Sequence, residues 1–113
     1  MMVDLKLSIS ETLAQKIEPL TPWLPTVLEL SLVGFQTRAT RVASDIISFL
    51  SSNPTSKAVL DYQLAPIHQE RTQRLLELNK AHLLGADEQL ELDELEKIEH
   101  IIIMLKASTL QQK

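Results

Sequence analysis

The chain begins with a strict alternation. Val3, Leu5, Leu7 and Ile9 are apolar, while Asp4, Lys6, Ser8 and Ser10 are polar. A period of two is the pattern of a half-buried strand, and it predicts one over residues 3–9. Beyond it the apolar residues recur at three and four. Leu13, Ile17 and Leu20, with Ala14, predict a first helix that starts near Ser8 or Ser10. Ser8 with Glu11 fits a capping box, and Ser10 fits a plain N-cap. Thr21-Pro22-Trp23-Leu24-Pro25 breaks the helix, because each proline turns its predecessor away from helical geometry. A second helix then opens near Pro25 and is apolar nearly all round, with Gly34 as its stop. Val42, Ile46, Phe49 and Leu50 line a third helix over about 37–51.

Ser51-Ser52-Asn53-Pro54-Thr55-Ser56 is the clearest linker. Residues 66–84 and 87–108 then read as a helical hairpin, with Gly85 as a C′ residue and Asp87 as an N-cap. The second arm of the hairpin carries the stripe Leu92, Leu95, Ile98, Ile102 and Leu105. This divides the chain into a dimerisation half, 1–52, a linker, 53–65, and a hairpin, 66–113. A lone strand in an otherwise helical chain leaves its backbone N–H and C=O groups without partners, and the same strand of a second copy would supply them. The expected fold is therefore mainly α. One N-terminal β-strand pairs between subunits as a two-stranded ribbon, and a C-terminal helical hairpin follows. Val3, Leu5, Leu7, Ile9 and Leu28 are the expected interface of that homodimer.

Composition narrows this further. With 113 residues, 44% of them hydrophobic and only four aromatic, the chain supports one aliphatic core that gains from being shared between subunits. It has no cysteine, which excludes disulfides, thiolate zinc sites and thiol nucleophiles and fits a reducing cytoplasm. No apolar run approaches the ~18 residues of a membrane span, and the N-terminus lacks the signature of a signal peptide. The net charge of −4 is not the basic footprint of most nucleic-acid binders.

The segment Leu5-Lys6-Leu7-Ser8-Ile9-Ser10-Glu11-Thr12-Leu13-Ala14, followed by Ile17, resembles the start of the ribbon-helix-helix family of repressors and antitoxins. That resemblance implies a ribbon whose outward side chains enter the major groove of double-stranded DNA. The corresponding positions are Met2, Asp4, Lys6 and Ser8. Of these, Lys6 and Ser8 would contact base edges or phosphates, and Asp4 would repel phosphates. The family also anchors a phosphate at the N-terminus of its second helix, where Pro22 and Pro25 each remove a backbone donor. Residues 70–107, from Glu70-Arg71 through Leu92-Asp93-Glu94-Leu95-Glu96-Lys97-Ile98-Glu99-His100 to Ala107, resemble a hairpin recurring in small uncharacterised bacterial proteins of antitoxin-like character.

Candidate chemistry is sparse. Asp87, Glu88, Glu91, Asp93, Glu94, Glu96 and Glu99 make the last helix acidic at its start. This run reads as a solvated helix face, or as a surface that mimics nucleic acid or grips a basic toxin. The stripe beside it reads as hairpin core, or as a partner groove built on Leu92, Leu95, Glu96, Ile98 and Ile102. Glu96 and His100 share a helical face but lack the Glu-x-x-His pattern of di-iron bundles. With two glycines there is no phosphate loop, and no serine sits in a nucleophile elbow. No enzyme, metal or cofactor is expected. The expected function is an antitoxin-like or small transcriptional regulator, dimeric, that binds operator DNA, a partner such as a toxin nuclease, or both. Its rival is a DNA-silent dimeric adaptor that docks a larger assembly through the hairpin.

Overall fold

The computed structural model describes residues 3–111, and they form six α-helices and one 3-10 segment. Ser10 opens α1 (Glu11–Ile17), its hydroxyl accepting the Leu13 N–H at 3.1 Å. Of the two expected caps, Ser10 is the one used. The proline-rich break is a 3-10 segment, Glu18–Trp23, with Pro22 inside it. It runs directly into α2 (Leu24–Leu32), where Pro25 takes an early position that needs no N–H. Gly34, at φ 73, ends α2 as the pattern predicts. Next come α3 (Ala39–Ser51) and the short α4 (Ser56–Leu60), which Thr55 caps. The hairpin is α5 (Pro66–Lys80) and α6 (Ala86–Gln111).

The expected N-terminal strand, and with it the two-stranded ribbon, is corrected by the structure. Among the described residues there is no strand. Residues 3–10 form neither helix nor strand and are solvent-exposed, with Val3 76%, Leu5 79% and Leu7 68% exposed. Alternation favours an extended backbone, but a strand exists only where a second extended segment pairs with it, and the rest of the described chain is committed to helices and their connections. The mainly α part of the expectation holds.

The core is built around α6, which packs against α2, α3, α4 and α5. Leu92, Leu95, Ile98, Ile101 and Leu105 form its buried seam, spaced at three and four as a single helix face requires. They meet Leu30 from α2, Val42, Ile46 and Leu50 from α3, Val59 from α4 and Leu75 from α5 in one cluster. Residues on both sides of the 53–65 segment therefore share this core.

The turn between α5 and α6 differs from the pattern reading. His82, at φ 60, takes the left-handed position that ends α5. Leu83 N–H donates to the Leu78 carbonyl at 2.9 Å and His82 N–H to that of Asn79 at 3.0 Å, a Schellman turn. Gly85 instead starts α6, its N–H donating to Glu88 Oε1 at 3.1 Å, so Glu88 is the returning half of a capping box. A left-handed histidine stores strain that glycine lacks. His82→Gly is therefore expected to stabilise the chain by about 1 kcal/mol, seen as a higher thermal midpoint. An unchanged or lower midpoint would place the turn in another geometry.

Candidate functional site

An apolar concavity lies along α6, on the side that faces α5 and the connection between α4 and α5. It has a volume of about 440 Å³. Leu92, Leu95 and Ile98 form its buried floor, and Leu76 of α5 and Ile102 of α6, both half-buried, form its walls. Tyr62 and Leu64 close it from the connection. Gln69, Thr72 and Gln73 line the α5 rim, and Glu96, Glu99, Ile103 and Lys106 line the α6 rim. The α6 residues recur at three and four because they share one face of a straight helix. From Leu92 to Lys106 that face is roughly 21 Å long at 1.5 Å per residue.

The walls are held by polar contacts, one on the rim and one beyond it. Lys106 Nζ donates to the Tyr62 carbonyl at 2.7 Å and ties the connection to α6. The Tyr62 ring packs on Phe49 with centroids 4.5 Å apart. Burial, with Asp45 nearby, raises the Tyr62 pKa and keeps the phenol neutral. On the other side of the hairpin, Arg71 Nε and Nη2 donate to Glu91 Oε2 and Oε1 at 2.9 and 3.0 Å. This two-pronged pair sets the register of α5 on α6. The guanidinium hydrogen bond outweighs burial and holds the Glu91 carboxyl below its ordinary range.

All five residues expected to meet a partner, Leu92, Leu95, Glu96, Ile98 and Ile102, line this one groove. Their roles differ. Leu92, Leu95 and Ile98 are buried and serve as floor and core, whereas Glu96 is exposed and Ile102 half-buried. Tyr62 and Leu64 also line the site, although the sequence pattern places them in the 53–65 linker. The expected interface residues Val3, Leu5, Leu7 and Ile9 lie exposed along the N-terminal arm, and Leu28 is half-exposed on α2, away from them in the chain. Of the expected DNA-contacting residues, Asp4, Lys6 and Ser8 lie on the same exposed arm, and Met2 falls outside the described residues.

The acidic run divides into two populations. Glu91 and Glu94 are buried, 5% and 4% exposed, while Asp93, Glu96 and Glu99 face solvent. Glu94 accepts the N–H of Gln36 at 2.8 Å, the N–H of Thr37 at 3.1 Å and the Thr37 hydroxyl, all in the approach to α3. These two acids are therefore structural. Glu96 and His100 both line a shallower cleft between α2 and α6. Among the described residues no group of three His, Asp or Glu side chains is placed to hold a metal ion. No described helix is long and apolar enough to cross a membrane.

Neither a protein-family model, nor a curated protein, nor a solved structure matches the chain.

Proposed function

We propose that this chain is a helical adaptor that seats an apolar, lysine- or arginine-bearing protein segment in the groove between α5 and α6. The observation that carries this reading is that one concavity of about 440 Å³ combines a continuous aliphatic floor with two exposed carboxylates, Glu96 and Glu99, on its rim. An apolar floor rewards burial of aliphatic side chains, and the rim acids select a cation beside them. The Thr72 hydroxyl and the Lys106 amine on the rim of the groove are turned onto the His68 and Tyr62 carbonyls. Its chemistry is that of recognition.

The adaptor reading is preferred over an operator-binding one on charge. The arm bearing Asp4, Lys6 and Ser8 carries one positive and one negative charge. Duplex affinity comes largely from clustered cations that displace counterions.

A displayed random-peptide library panned on the full chain carrying Leu5→Asp and Leu7→Asp, so that the exposed apolar arm does not compete for the groove, tests the proposal. Enriched peptides are expected to carry aliphatic residues flanking a lysine or arginine. Ile103→Asp and Glu99→Lys, both at exposed positions, are each expected to weaken their binding at least tenfold, about 1.4 kcal/mol. Failure to enrich any peptide, or binding indifferent to both variants, would sink the proposal.

A further inference from the structure

Four aliphatic side chains and a groove of the same length are both left without a partner in this chain. The side chains are Val3, Leu5, Leu7 and Ile9, exposed along the arm 3–10 that precedes α1. A period of two puts all four on one face of an extended segment and Asp4, Lys6 and Ser8 on the other. Drawn out as a strand, the arm from Val3 to Ile9 would span roughly 20 Å at 3.3 Å per residue. The α6 face from Leu92 to Lys106 spans roughly 21 Å. The charges also match. With the arm antiparallel to α6, Asp4 comes level with Lys106, and Lys6 lies further along, within side-chain reach of Glu99. In the opposite direction Asp4 would face the carboxylates.

We infer that the occupant of the α5/α6 groove is the arm of a second copy of this chain, so that two copies exchange arms in a closed homodimer. This rests on the groove being a docking site for an apolar, cation-bearing segment, and it names the segment. Within one chain the arm is exposed, so its own groove does not hold it. Each copy carries one arm and one groove. A two-fold pair therefore satisfies both arms and both grooves and closes without leaving an open end. The arm enters as a docked segment lying against helices, with its backbone N–H and C=O groups free to meet water.

The chain has no cysteine, so engineered thiols report without background. The proposed register brings Leu5 level with Ile103 of the other copy. In the full-length chain, Leu5→Cys together with Ile103→Cys is expected to give a covalent dimer on mild oxidation, with mass spectrometry locating a 5–103 linkage. Either single variant is expected to give none at that rate. Sedimentation equilibrium is expected to show twice the 12.8 kDa chain mass. Leu5→Asp with Leu7→Asp is expected to weaken association at least tenfold. Both residues are exposed within the chain, so helical content is expected to stay unchanged.

A 5–103 linkage within a monomer would place the arm in its own groove and overturn the exchange. So would a rapid 5–5 linkage, a dimer indifferent to the arm charges, or a monomer at roughly 100 µM, a concentration at which even a weak segment-in-groove contact should register. The two readings separate cleanly. A monomer whose groove still captures library peptides removes the second copy as occupant and leaves the adaptor. A chain whose groove captures no peptide even with both arm leucines charged removes the adaptor itself.

Discussion

Glu94→Ala is expected to cost about 3 kcal/mol, the largest effect of any single change outside the aliphatic core. The carboxylate is buried on α6 and accepts two backbone N–H groups and a hydroxyl from Gln36 and Thr37. Those donors sit at the approach to α3, where Thr37 Oγ1 also accepts the Ala39 N–H at 3.2 Å. Removing the carboxylate leaves three donors to find water at a half-buried site, and loosens the α2–α3 connection from the helix that organises the core. For a chain of this size the thermal midpoint should fall by roughly 10–20 °C. Glu94→Gln keeps one acceptor oxygen and is expected to lose about half as much. Denaturant melts at neutral pH measure both. A loss for Glu94→Ala within about 0.5 kcal/mol of zero would show that the clasp contributes nothing beyond solvation.

That clasp marks the boundary of what local pattern can reveal. The seam of α6 is legible because Leu92, Leu95, Ile98 and Leu105 recur at the period of a helix, and all four are buried. The helix starts at Ser10 and near Pro25 and the stop at Gly34 are legible for similar local reasons. Glu91 and Glu94 are different. They read as members of a solvated acidic run because their partners lie 20 and 57–58 residues away, at Arg71 and at Thr37 and Gln36. Spacing along one helix carries no trace of such pairings.

The N-terminal arm fails in the converse way. Its alternation suits a strand, but a ladder needs a second segment, and local alternation does not specify one. In the groove, the α6 half was visible as the face bearing Glu96 and Ile102. The other half was not, because Tyr62 and Leu64 sit in a connection too short for a periodic signal. Tyr62 and Leu64 flank Gln63 just after the apolar run Ala58-Val59-Leu60, and so brief a stretch does not assign them to a face.

The second large effect concerns Arg71. Its guanidinium makes two hydrogen bonds to Glu91, whose side chain is 7% exposed while that of Arg71 is 29% exposed. Arg71→Met keeps most of the aliphatic stem and removes the charge. A buried carboxylate then loses its counter-charge, with only Arg38 left to offset burial. Loss of one member of a fully buried pair costs 3–5 kcal/mol, and partial exposure of the arginine lowers the expectation to about 2 kcal/mol at neutral pH. The pH dependence separates this from lost packing. In the wild type the folded Glu91 pKa lies below its unfolded value. The pair's contribution is therefore fully present above the ordinary glutamate range and is lost as pH falls through the lowered folded value. In Arg71→Met the same carboxyl is buried without its partner, which favours the neutral form and reverses the shift. The gap between the two proteins is thus expected to be widest near pH 7 and to narrow as acid protonates Glu91. Glu91→Gln should flatten the acid limb of the wild-type curve for the same reason. Parallel stability curves for wild type and Arg71→Met, with no convergence in acid, would assign the loss to packing of the arginine stem instead of its charge.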